Sequence, residues 1–119
     1  MESKKKILIV DDEEVILFLY QEELEEEGFA VVTALNGDQA LRQFTAAPPD
    51  LVILDINMPG MNGIEVLRQM KSLNPALPVI LSSAYPEYKQ DFGTWASDEY
   101  IVKSANTDAL KAAVHKYLD

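Results

Sequence analysis

Aspartates, serines and a lysine recur in this sequence just after short apolar runs. ILIV, residues 7–10, runs into Asp11 and Asp12. LVIL, residues 51–54, runs into Asp55, with Asn57 two positions on. VIL, residues 79–81, ends in Ser82 and Ser83, and YIV, residues 100–102, is followed by Lys103. A carboxylate at the end of a buried run is costly unless something there uses it. Three acids brought together repel one another and raise their own pKa values, and a divalent cation removes that penalty. Magnesium suits such a site, because it takes oxygen ligands and retains some of its water. A hydroxyl and an ammonium beside it suit an anionic group. Carboxylate nucleophile, hard metal, hydroxyl and lysine together equip a site for phosphoryl transfer to an aspartate.

These residues meet only if the apolar runs lie side by side. Residues 6–10 (KILIV) read as a first strand, 30–34 (AVVTA) as a second and 51–54 as a third, buried on both faces. Residues 79–83 (VILSS) make a fourth and 100–102 a short fifth. Helical patterns fall between them. Residues 13–27 form a first helix stopped by Gly28, with Ile16, Leu19, Tyr20 and Leu24 on its inner face and Leu17 and Phe18 partly off it. Asn36 caps a helix over 38–47 that buries Ala40, Leu41 and Phe44, and Pro48-Pro49 ends it. Residues 64–73 form a third helix on Ile64, Leu67, Met70 and Leu73. Asn106 caps a last helix with a stripe of Leu110, Ala113, Val114, Tyr117 and Leu118. This alternation predicts an α/β protein of (βα)5 type, a parallel sheet with helices on both faces and right-handed crossovers. The carboxyl ends of all strands then share one edge, where open sheets of this kind bind ligands.

Composition narrows the function. At 119 residues the chain is expected to form one domain, with no output domain attached. It has no cysteine, so disulfides and thiolate zinc sites are excluded. A formal net charge of −10 argues against direct nucleic-acid binding. The acidic run at 21–27 (QEELEEE) reads as a solvated helix face. No apolar run approaches membrane-spanning length. The basic start MESKKK is followed by an apolar stretch that stops at Val10, too short for a signal-peptide core, and a cytoplasmic protein is inferred. His115, the only histidine, lies off the apolar stripe of the last helix and is read as a surface residue.

Over essentially its whole length the sequence resembles the receiver domains of bacterial two-component response regulators, the CheY-like group. The resemblance rests on ILIVDDEE at 7–14, LVILDINMPGMNG at 51–63, PVILSSA at 78–84 and YIVK at 100–103. It implies a flavodoxin-like five-stranded parallel sheet in the order 2-1-3-4-5. By the same resemblance Asp55 is the phosphoacceptor. Asp11 and Asp12 hold Mg2+ with Asp55 and the backbone carbonyl of Asn57, and Mn2+ substitutes. Ser83 and Lys103 bind the phosphoryl group, Tyr100 turns inward on activation, and Asn57 and Tyr85 occupy positions that tune the rate of phosphate loss. The implied partners are a histidine kinase or phosphotransfer protein and a downstream protein target; whether phosphorylation also pairs two copies stays open. Such a receiver is not an enzyme acting on a free substrate.

Two features depart from the family pattern. Ser104 follows Lys103 where proline is usual, often after a cis bond; before serine, cis costs about 2.5–4 kcal/mol more than trans. The segment between Ser83 and Lys103 is slightly short and contains Pro86 and Gly93, so the fourth helix is expected to be short or irregular. These departures keep open a receiver-like interaction module not controlled by phosphorylation. A magnesium-dependent phosphatase of the haloacid dehalogenase type is a remoter alternative, since it needs Asp-x-Asp after the first strand and Asp11-Asp12 are adjacent. Ser82 is read as structural, because alternation points it away from Ser83.

Overall fold

Five short apolar runs pair edge to edge in this computed structural model, which describes residues 4–56, 63–83, 99–104 and 106–119. The strands are β1 (Lys6–Val10), β2 (Ala30–Ala34), β3 (Leu51–Asp55), β4 (Val79–Ser83) and β5 (Glu99–Val102). All pairings are parallel, in the order β2-β1-β3-β4-β5. Every residue of β3 and β4 is buried. That is why these strands carry no polar alternation and read as unbroken apolar runs.

The helices among the described residues are α1 (Glu14–Glu26), α2 (Gly37–Ala46), α3 (Gly63–Leu73) and α4 (Asp108–Leu118). Strand side chains point alternately to the two faces and build two cores. Leu8, Val10, Val52, Leu54, Val79 and Leu81 meet Ala40 and Phe44 of α2 and Val66, Leu67 and Met70 of α3. Ile7, Ile9, Leu51, Ile53 and Ile80 meet Leu17, Tyr20 and Leu24 of α1 and Leu110, Ala113 and Val114 of α4. Each fully buried aliphatic side chain contributes about 1.5–3 kcal/mol. With both faces of the sheet covered, its carboxyl edge is where polar groups gather.

Local signals explain the helix ends. Asn36 Oδ1 accepts the Gln39 amide at 2.9 Å and caps α2 as expected. Gly28 ends α1 with φ +97°, and its amide donates to the Glu25 carbonyl. Three expectations are corrected. Leu17 is buried on α1, whose inner face runs through residues 17, 20 and 24, while Val15 and Phe18 face solvent. Leu73 is 64% exposed: a spacing of three drifts by about 60° per step on a 3.6-residue helix, so three steps carry Leu73 opposite Ile64. Val66 takes the inner place instead. The cap position of α4 is Thr107, while Asn106 Oδ1 accepts the Asp108 amide at 2.9 Å from one residue earlier. The expected helix between β4 and β5, with Tyr85, falls on residues 84–98, and Asn57 on 57–62; both segments lie outside the described residues.

Candidate functional site

The carboxyl edge of the sheet gathers Asp11, Asp12, Asp55, Ser83 and Lys103. Asp11 follows β1, and its amide donates to the Ala34 carbonyl at the end of β2. Its Oδ1 accepts the Glu13 amide at 2.9 Å, so this side chain steadies the entry into α1 as well as facing the cleft. Asp55 closes β3. Behind it the Gly63 amide donates to the Ile56 carbonyl at 2.8 Å. A Cβ on Gly63 would collide with the carbonyl oxygen of Asp55, so only glycine lets α3 start this close to the acid.

One carboxylate oxygen from each of Asp11, Asp12 and Asp55 lies within 4.8 Å of the others. Opposite ligands around magnesium stand roughly 4.2 Å apart at bonds of about 2.1 Å, so the spacing fits that ion after small adjustment. The donors are all hard oxygens, and Asp12 is exposed, which leaves room for retained water. Asp11 and Asp55 are 2% and 4% exposed, burial that is unfavourable for two ionised acids without a cation between them.

Lys103 supplies one. Its Nζ lies 2.7 Å from Asp11 Oδ2, 3.3 Å from Asp55 Oδ2 and 3.2 Å from Glu13 Oε1. Burial disfavours the ammonium, but the bond to Asp11 and the charges of Asp11 and Asp55 outweigh it and raise its pKa. Burial likewise pushes the Asp11 carboxyl up, and Lys103 offsets this only in part. The two directions agree because three carboxylates share one ammonium, so the cation is fully satisfied while each acid is under-compensated.

Lys103 reaches this position with Ser104 after it. The Lys103–Ser104 peptide bond is trans. The Lys103 amide donates to the Ser83 carbonyl at 2.7 Å, extending the β4–β5 pairing by one bond. Ser83 is fully buried. Ser82 lies opposite Asp55 in the register, and its hydroxyl is buried with no partner in hydrogen-bonding geometry among the described residues. It still lies close enough to the Tyr20 phenol to favour its anion, against the burial that pushes that phenol up. Tyr100 pairs with Leu81 and packs half-buried against the α2–α3 core. Sequence reasoning missed Glu13 as a partner of Lys103; the signal available was an acid directly after the Asp11-Asp12 pair.

Residues 7–115 match the family model described as the response regulator receiver domain. The chain is 40% identical over 102 residues to sporulation initiation phosphotransferase F of Bacillus subtilis (strain 168), covering 84% of this chain and 82% of that protein. It spans only 21% and 48% of two transcriptional regulatory proteins that it also matches. Among solved structures, it is similar to the response regulator protein TrrA of Thermotoga maritima in complex with Mg(2+)-BeF. The identity is 49% and the TM-score 0.92, with 96% of this chain and 99% of that chain covered. TrrA in complex with the histidine kinase ThkA matches at 49% identity and TM-score 0.90, covering 97% and 99%.

Proposed function

Because this chain belongs to the response regulator receiver domain family, we propose that Asp55 takes a phosphoryl group from a histidine kinase and that the modified chain presents a changed surface to a downstream protein. The observation that carries this reading is the buried Asp55 carboxylate held between Lys103 and the two acids after β1. The TrrA complexes with Mg(2+)-BeF and with a histidine kinase support it. Asp11, Asp12 and Asp55 would hold Mg2+, with the Asn57 carbonyl completing the set, and Mn2+ accepts the same oxygen donors. That ion, when bound, neutralises the acids and charge developing on the phosphoryl oxygens.

The chain's own residues do the rest. The Asp55 carboxylate attacks phosphorus, a P–O bond forms, and the electron pair of the broken P–N bond returns to the donor nitrogen. Lys103 and the Ser83 hydroxyl bind the phosphoryl oxygens. A new charge of roughly −1.5 to −2 draws Ser83 toward it. The end of β4 then shifts, and Tyr100 packs inward, so phosphorylation biases an equilibrium between two surfaces. Asn57 and Tyr85 tune phosphate loss. The chain acts as a stoichiometric phosphoacceptor in the cytoplasm; among the described residues no helix is long and apolar enough to cross a membrane.

The donor must press onto the carboxyl edge, because Asp55 is nearly enclosed. Val15 and Phe18, 78% and 64% exposed, stand on the first turns of α1 beside that edge and suit the kinase's apolar surface. Incubation with labelled phosphodonor tests the function. Wild type is expected to acquire a hydroxylamine-labile label that requires Mg2+, and Asp55→Ala is expected to acquire none. Equal labelling of the two proteins sinks the assignment.

A further inference from the structure

Glu13 stands apart from the other acids that touch Lys103. Its side chain is 59% exposed, against 3% for Asp11 and 4% for Asp55. It also lies outside the trio whose oxygens cluster within 4.8 Å. A divalent cation seated in that trio takes Asp11 and Asp55 away from Lys103 and leaves Glu13 Oε1, at 3.2 Å, as the ammonium's remaining described carboxylate partner.

We propose that Glu13 is a positioning residue whose carboxylate keeps the Lys103 ammonium at the rim of the site when a divalent cation takes Asp11 and Asp55. This rests on the function proposed above and adds a residue to it. Two features make Glu13 suited to the task. Its backbone is fixed to the site, since its amide donates to Asp11 Oδ1 at 2.9 Å. Its carboxylate faces solvent enough to stay ionised and free of the cation. Without that anchor, Lys103 has two poorer options. It stays on Asp11 and Asp55 and competes with the incoming ion, or it leaves the rim and gives up its ordered approach to phosphoryl oxygens.

A plainer role is that Glu13 merely adds negative potential, and reach separates the two. Glu13→Asp keeps the charge but shortens the arm by a methylene, which breaks the bond to Lys103. Mg2+ affinity is measured by calorimetry for wild type, Glu13→Gln and Glu13→Asp, each with Lys103 and with Lys103→Met. Both Glu13 variants are expected to weaken Mg2+ binding on the order of tenfold, the effect of losing an outer-shell partner. With Lys103→Met, Glu13→Asp is expected to change nothing. Wild-type affinity in Glu13→Asp overturns the proposal, and so does an equal loss in both backgrounds. A second readout does not need the Lys103 variant. The 15N-labelled Lys103 ammonium is expected to be resolved by NMR in Mg2+-loaded wild type and lost by exchange in Glu13→Asp; a resonance retained in both also overturns it. Failure of Asp55 to become labelled in wild type would strike the function proposed above, whereas these two measurements bear on Glu13 alone.

Discussion

The backbone amide of Lys103 lies 2.7 Å from the carbonyl oxygen of Ser83. The two residues proposed to bind a phosphoryl group are thus joined through the main chain, across the ends of β4 and β5. A displacement of Ser83 strains this bond unless Lys103 follows. The hydroxyl and the ammonium therefore respond to the same anion as a unit, even though their side chains reach it from different strands.

Removing the ammonium should expose how much the acids depend on it. Lys103→Met leaves Asp11 and Asp55 buried without their cation, and breaking such a pair costs about 3–5 kcal/mol. In urea denaturation without divalent metal, the variant is expected to lose about that much. Saturating Mg2+ should recover a larger share in the variant than it adds to wild type. An identical deficit with and without Mg2+ would mean that Lys103 is not the acids' internal counter-ion.

Asp12 separates metal binding from folding. It is exposed, so Asp12→Ala should leave the thermal midpoint in EDTA almost unchanged. Its Mg2+ affinity should fall by at least about tenfold, the loss seen even for outer-shell partners. Calorimetric titration gives the answer, and unchanged affinity would remove Asp12 from the metal site.

Gly63 should tolerate no side chain. Its Cβ would meet the Asp55 carbonyl and the Ile56 backbone, neither of which is a flexible side-chain end. Gly63→Ala is expected to cost about 1–3 kcal/mol by overpacking and to slow labelling of Asp55. Chemical denaturation together with a labelling time course checks both, and a variant as stable and fast as wild type would refute the close approach.

His115 gives the fold a pH dependence far from the acids. Its Nε2 lies 2.8 Å from Glu27 Oε1 and its Nδ1 2.8 Å from Asp119 Oδ2, and the bond to Glu27, then that to Asp119, raises its pKa above the ordinary 6.5. A raised histidine pKa adds stability that is complete below about 6.5 and lost as pH rises through the folded value. Thermal midpoints of wild type and His115→Gln are therefore expected to differ more at about pH 6 than at about pH 9. A gap that widens with pH would contradict the clasp. Loss of the Phe29 ring at 5.3 Å contributes equally at both pH values and cancels.

The strands were legible because burial on both faces leaves nothing but apolar residues, as in Leu51–Leu54 and Val79–Leu81. Their carboxyl ends follow from parallel pairing, which put Asp11, Asp55 and Lys103 together before any coordinates. Helix faces were harder. Leu73 fits a spacing of three and Leu17 breaks one, yet true helical pitch reverses both. Glu13 and Lys103 are 90 residues apart, and nothing local marks an ion pair of that span. The same holds for His115, whose partner Glu27 sits 88 residues away in a run read as a solvated face. That run also supplies Glu23, which meets Lys111 at 2.9 Å and forms, with Glu27 and His115, a second rung between α1 and α4.

The Gly63 amide bonds to the Ile56 carbonyl, so residues 57–62 leave the fold and return to it at almost the same point. Whatever path they take, they form a closed ring hung on one hydrogen bond, and Asp55 stands outside it. Insertions into such a ring raise its closure entropy only slowly with length. The segment is therefore a natural position for grafting a reporter or a binding peptide while the nucleophile stays in register.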